Sequence, residues 1–389
     1  MHPDSVLRRA RVSAMLAFAT NGALPASLLA RYAEVKDVLG VSPAVFGLLV
    51  VGMTIGGAAA FHLPAAVLRR FGTPRTTAFG TLWCALALTT AATGVVVGLP
   101  WLFFLGLFLS GLGDACVDVG QNSQGLRVQE AYGRSLLNFM HAGWSIGAAV
   151  GGGVGTLMAL ADVPLVAHLA LWGAVCVGSM AWAARNFLPD RAAIADEAPV
   201  APLGGRGVAK FLVPLALVAL AGISVEEIGG NWSAVLLASE RGLPAGAAGI
   251  GVSVLLGAQF VGRLLGDRVV DRLGDRRALV ISLAAVAVGL VAAAWAPNVP
   301  LTLLGFVIAG LGCAVTVPIA FAQADAVPGL PPHSGVTWVS FAMRATTIVL
   351  SPAIGLMSGA ASLPVAMSVL TAIAVVALVW QLRTPGIQR

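Results

Sequence analysis

The chain has 389 residues, 58% of them apolar and only 10% charged, with a mean hydropathy of +0.91. Soluble domains carry about 25% charged residues, so the composition excludes a string of water-coated domains and indicates a polytopic membrane protein. The net charge of +6 sits on arginines scattered over short connectors without interleaved aromatics, which argues for topology signals and against nucleic acid as a partner.

About 20 apolar residues cross the hydrocarbon core as a helix. Twelve stretches qualify: 11–33, 44–66, 76–98, 101–124, 135–160 and 164–186, then 211–238, 246–268, 278–295, 299–324, 334–360 and 364–383. The first, with RRAR before it, also has the layout of a signal peptide, but its removal would leave an odd number of spans. If the N-terminus is cytoplasmic, eighteen of the 23 Lys and Arg lie on that side. Arg31, Lys36 and Arg241 lie on the other, and Arg263 and Arg344 stay within spans. Such asymmetry predicts a multi-pass protein of the cell (inner) membrane with both termini inside. Trp101, Trp182, Trp295 and Trp380 fall near span ends, as an interfacial belt would have them.

Polar residues inside these spans are the candidates for function. In the first span TNGALPAS places Asn21 where it could line a cavity. The fourth reads GLGDACVDVGQN at 111–122. Asp114 and Asp118 are one turn apart and share a face, which Gln121 and Asn122 extend. An ionised carboxylate at this depth costs at least about 2–3 kcal/mol. Each acid is therefore either paired for packing or held in a wet cavity where it takes up and releases a proton. The fifth span brings Asn138, His141 and Trp144. The histidine is either a hydrogen-bonded core residue or a relay, and the tryptophan either packs or stacks on a flat solute. The glycines of GWSIGAAVGG at 143–152 predict a close helix contact. A stretch rich in Ala, Pro and Gly at 187–210 reads as a cytoplasmic linker between halves 1–186 and 211–389.

The seventh span contains EEIGGNW at 226–232. Glu226 and Glu227 point about 100° apart, so only one faces a cavity squarely; Glu227 shares a face with Asn231, and Trp232 follows. The glycine pair predicts a locally unwound helix. The loop GRLLGDRVVDRLGDRR at 262–277 is a candidate gate. Asp267 and Asp271 can reach helix N-termini, while Arg268, Arg272 and Arg276 can pair with acids or lipid phosphates. The alternative is a basic loop that only sets topology. The eleventh span carries Trp338 and Arg344. Arg344 needs a partner: a carboxylate such as Asp114 or Glu226, or an anionic substrate.

The halves repeat. GVSPAVFG at 40–47 matches GLPAGAAG at 242–249, VLRRFGTPR at 67–75 matches VDRLGDRR at 270–277, and PWLFFLGLFLSGLG at 100–113 matches PLTLLGFVIAGLG at 300–312. Six spans per half preserve orientation, so the repeats are parallel, related by an axis along the membrane normal. The four cysteines stand alone in apolar runs. The five histidines (His2, His62, His141, His168, His333) show no ligand spacing, so no cofactor, metal or enzymatic activity is expected.

At these residues the chain resembles the major facilitator superfamily, over its whole length. The family hallmark is the glycine- and arginine-containing loop seen at 262–277, with a worn copy, LRRFGTPR, at 68–75. Asp271 stands where the family has its loop aspartate, whereas Arg69 takes that place in the first half. GWSIGAAVGG resembles the antiporter motif GxxxGPxxGG except that Ala148 replaces the proline, and Leu107 stands where an arginine is expected before GLGDA. Those departures speak against drug/proton antiport. DVGQNSQGLRVQE, GRSLLNFMHAGWSIG and EEIGGNW resemble a bacterial branch near the fucose-permease-like sugar symporters. The resemblance implies an all-α membrane protein, two six-helix bundles about a pseudo-twofold axis, with the solute bound between them. It implies a monomeric secondary transporter whose partners are a small-molecule substrate, protons and membrane lipids. Proton-coupled symport of a small polar solute such as a sugar is the first expectation, and proton-coupled export of a metabolite or drug the alternative. By spacing to Trp232, the family favours Glu226 over Glu227.

Overall fold

The computed structural model describes residues 3–60, 63–133, 136–190, 205–325, 327 and 334–383, and its elements are helices throughout. In chain order they are α1 (Pro3–Leu29), α2 (Tyr32–Leu39), α3 (Pro43–Val50), α4 (Gly52–Ala59), α5 (Leu63–Phe71), α6 (Thr73–Val96), α7 (Pro100–Tyr132), α8 (Leu137–Leu160) and α9 (Leu165–Ala184). Then follow α10 (Gly205–Glu227), a π turn (Ile228–Trp232), α11 (Ser233–Arg241), α12 (Ala245–Ala248), α13 (Ile250–Leu273) and α14 (Asp275–Trp295). The last are α15 (Val299–Cys313), α16 (Thr316–Asp325), α17 (Ser334–Ala360) and α18 (Leu363–Arg383).

Among the described residues, ten helical stretches are long and apolar enough to cross a membrane, and the bent pair Pro43–Ala59 with Leu63–Phe71 makes an eleventh. The twelfth expected span is α17, whose residues Ala345–Ala360 form a shorter apolar helix. Two local expectations need correction. The second span is not one rod but α3, α4 and the start of α5; Pro64 sits in the first turn of α5, where its missing N–H has no helical partner to lose. The seventh span does not unwind. Its glycines take a single π turn, which keeps the backbone bonded at i→i+5 while absorbing an extra residue.

Helix starts follow local chemistry. Ser42 Oγ accepts from Val45 N at 3.3 Å, and Asn298 Oδ1 from Leu301 N at 3.0 Å, each with a proline in the first turn. The internal repeat is visible in the backbone as well. Gly40 and Gly242 have φ of +62° and +66°, and Gly72 and Gly274 have +77° and +76°. These are left-handed values that glycine adopts without a steric penalty, and they recur at the repeat's own offset.

By internal contacts the chain divides into two units, residues 1–194 with 233–253, and residues 195–232 with 254–389. In the first, α1 packs along α8, and α6 along α7 and α9. Gly143, Gly147, Gly151 and Gly155 place four side-chain-free positions along α8 against Met15, Ala19, Ala23 and Ser27 of α1. Small residues at this spacing let two backbones touch. The close contact expected over 143–152 is this seam. In the second unit, α14 packs on α15 and α18, with Gly289 and Gly305 set against Ala309 and Ala293.

Candidate functional site

In the first unit Asn21, half-buried on α1, is a hub. Its Nδ2 donates to Asp114 Oδ1 at 2.7 Å; its Oδ1 accepts from Trp144 Nε1 at 3.1 Å and from Gln121 Nε2 at 3.4 Å. Gln121 Nε2 also reaches Asp118 Oδ1 at 3.2 Å, and Asn122 Nδ2 reaches the same oxygen at 3.0 Å. Six of the residues picked out from sequence thus form one network across α1, α7 and α8. The glycine seam makes this possible, because it brings Trp144 of α8 within reach of α1. Among the described residues Asp114 has no ion-pair partner; a neutral amide alone holds it. Beside it, Asn21, Met53, Thr81, Cys84 and Asp114 line a narrow cavity with about 10 Å³ open to water centres. His141 sets its ring edge-on to Phe18 at 5.1 Å.

The second unit holds a different arrangement. Glu226 Oε1 accepts from Gln259 Nε2 at 2.7 Å and from Arg263 Nη2 at 3.0 Å, an ion pair with side chains 30% and 22% exposed. Gln259 Nε2 also touches Cys313 Sγ at 3.5 Å. Glu227 is buried, and its Oε1 accepts from Asn231 Nδ2 at 2.8 Å. Trp232 is fully buried and donates from Nε1 to Ser351 Oγ at 3.0 Å, so it packs within the unit. The two glutamates therefore look to different helices, Glu226 to α13 and Glu227 towards the π turn and α17. Trp338 is half-buried on α17. The side chains of Asn138, Asp267 and Arg344 lie outside the described residues.

Of the candidate gate, Arg268, Asp271 and Arg272 are exposed. Arg276 is tied to the end of α18, donating from Nε to Gln381 O at 3.3 Å and from Nη2 to Leu382 O at 3.1 Å. These are terminal carbonyls with no partner further along the helix. The worn first-half copy is held differently. Gly72 offers no side chain to cap α6, and Asp190, just beyond α9, does so by accepting from Thr73 N at 2.9 Å while pairing with Arg127. Burial raises the Asp190 carboxyl, but the bonds from Thr73 and Arg127 outweigh it and leave its pKa below the usual value.

Sequence reasoning missed Gln259, Arg263, Ser351 and Asp190. Arg263 had a signal, a cation within a span that follows an acid-bearing span. Asp190 had none, being one charge in a stretch read as linker.

The family model described as Major Facilitator Superfamily matches residues 212–388. An uncharacterized transporter of Sinorhizobium fredii is 29% identical, the match covering 89% of this chain and 90% of the relative. An uncharacterized MFS-type transporter of Yersinia pestis is 28% identical, covering 92% and 91%. Among solved structures, nucleoside transporter NupG in a mutant form superposes with a TM-score of 0.74 at 14% identity, over 97% of this chain and 99% of that one. The fucose:proton symporter FucP of E. coli gives 0.59 at 18% identity, over 99% of each. Polar networks buried in a twelve-span helical fold, together with these relatives, define a multi-pass membrane transporter. The second half of the chain matches the major facilitator superfamily, and the whole chain shares the fold of its solved transporters.

Proposed function

We propose that the chain is a secondary transporter that imports a small polar solute by proton-coupled symport. In this reading the halves 1–186 and 211–389 alternate about a central site, joined by a cytoplasmic linker at 187–210, in the inner membrane with both termini inside. The observation that carries it is the Asn21–Asp114–Gln121–Trp144 network: a carboxyl held by a neutral amide rather than a cation, beside a tryptophan and amides that suit a hydroxyl-rich solute. The fold neighbours carry a nucleoside and fucose, both hydroxyl-bearing solutes, which makes sugars and nucleosides the first compounds to try. Glu226, released from Arg263 on protonation, is the second proton site, and Glu227 supports the helix.

The test is uptake of radiolabelled sugars and nucleosides into proteoliposomes with an inside-alkaline pH gradient. Accumulation is expected to collapse with a protonophore, and Asp114→Asn is expected to abolish uphill uptake while sparing exchange. Accumulation that survives both treatments refutes proton coupling through Asp114.

A further inference from the structure

Below Asp118, helix α7 continues with Gln121, Gln124 and Arg127 towards the arginine-rich end of the first unit. Gln124 is 0% exposed, and among the described residues neither atom of its amide has a hydrogen-bond partner. The same holds for Gln121 Oε1 and Ser13 Oγ, on residues 1% and 0% exposed, and further on for Thr76 Oγ1 and for Nε and Nη2 of Arg127. Ser13 lies on the stretch of α1 that runs past these amides: Ala17 packs with Val117, and Ala10 and Ala14 with Val128. A buried polar atom left without a partner costs about 1–3 kcal/mol, so the amides of Gln121 and Gln124, one turn apart on α7, call for a ligand. The cavity by Asn21 and Asp114, about 10 Å³, admits something the size of one water.

We propose that Ser13, Gln121 and Gln124 hold a file of water molecules that carries protons between the Asp114 and Asp118 carboxyls and the arginine-rich end of the unit. The chemistry of the lining fits. Gln124 offers a donor and an acceptor, Gln121 an acceptor and Ser13 a hydroxyl that serves as either, so each water finds partners of both kinds. The Asp114 carboxyl gives its proton to the first water, which passes one of its own to the next. The last water passes its proton to bulk solvent, every water in the file is left neutral, and a carboxylate remains at Asp114. The amides and the hydroxyl gain and lose nothing. The charged groups along the way are Asp114 and Asp118 at one end and the Arg127–Asp190 pair at the other. The inference rests on the proton-coupled reading of Asp114.

The test needs no solute, only protons. Proteoliposomes on a solid-supported membrane are given a pH jump and the transient current is recorded. Wild type is expected to show a current, and Asp114→Asn to lose it. Gln124→Leu, which removes the amide at similar volume, is expected to slow the decay about tenfold, a barrier increase of about 1.4 kcal/mol, with the charge moved unchanged. Ser13→Ala, a smaller change that keeps the helix intact, is expected to slow it in the same direction, and thermal unfolding checks that each variant is folded. Wild-type decay in both variants, with Asp114→Asn silent, overturns the water file and leaves the proton reading standing. A current that persists in Asp114→Asn overturns that reading and the file with it.

Discussion

Gly147 sets the spacing of the α1–α8 seam, and adding one methyl group there tests it. A Cβ at Gly147 would overlap the carbonyl oxygen of Ala19 and lie 2.6 Å from that residue's carbonyl carbon and Cα. Comfortable carbon contacts are about 3.5–4.0 Å, so the helices must part by roughly 1 Å. Backbone atoms have no rotamer to escape into, which places the overpacking near the top of the usual range, about 3 kcal/mol. Alanine's better helix propensity offsets about 1 kcal/mol, leaving Gly147→Ala about 2 kcal/mol less stable. For a body of this size that lowers the unfolding midpoint by about 4–8 °C. The same separation stretches the Trp144–Asn21 bond, so tryptophan emission should shift as well. Gly178, exposed on α9 with nothing within 4 Å of an added Cβ, is the control. Gly178→Ala keeps only the propensity gain, about 1 kcal/mol of stabilisation. Thermal unfolding in detergent, followed by tryptophan fluorescence, reads both. A Gly147→Ala protein that melts as high as Gly178→Ala would refute the backbone contact.

Two further outcomes follow from the ion pairs. Asp190→Ala removes the cap of α6 and should cost about 1 kcal/mol in thermal unfolding. Because the folded Asp190 pKa lies below its ordinary 3.8, its contribution is full above that value and fades as the pH falls through it towards the folded pKa. Wild type should therefore lose more stability than Asp190→Asn between about pH 5 and 3. Arg263→Ala leaves Glu226 with Gln259 alone. A fully buried broken pair costs about 3–5 kcal/mol, and partial exposure of both side chains reduces that to about 2 kcal/mol. Adding Glu226→Gln should recover most of the loss, and a double-mutant cycle in thermal unfolding measures the coupling directly.

Much of this was legible in the sequence. Hydropathy alone located the twelve spans, because hydrocarbon thickness fixes their length. The Asn21, Asp114 and Gln121 cluster was legible for the converse reason: polar groups in apolar helices must find one another. The partner of Glu226 was not. Two arginines lie within spans of the second half, and choosing between Arg263 and Arg344 requires the rotation of each helix, which periodicity does not give when nearly every face is apolar. The π turn was hidden for a related reason. A glycine pair permits both an unwound and a widened helix, and the sequence does not show that Gly229 will pack against Leu255. Asp190 acts through the fold, capping a helix more than a hundred residues earlier, where the local sequence carries no trace of it.

The bridge from Gln259 to Glu226 and Cys313 says something about descent. In the repeat, the residue following each GLG is Asp114 in the first half and Cys313 in the second. The second half keeps its acid on its opening span, where the first half has Asn21. Two copies that began alike have exchanged which span bears the acid, and they have given it unlike companions, a carboxamide in one and a guanidinium in the other. Duplication here has produced specialists: one ancestral bundle, doubled, now holds its buried acid in two chemically distinct ways.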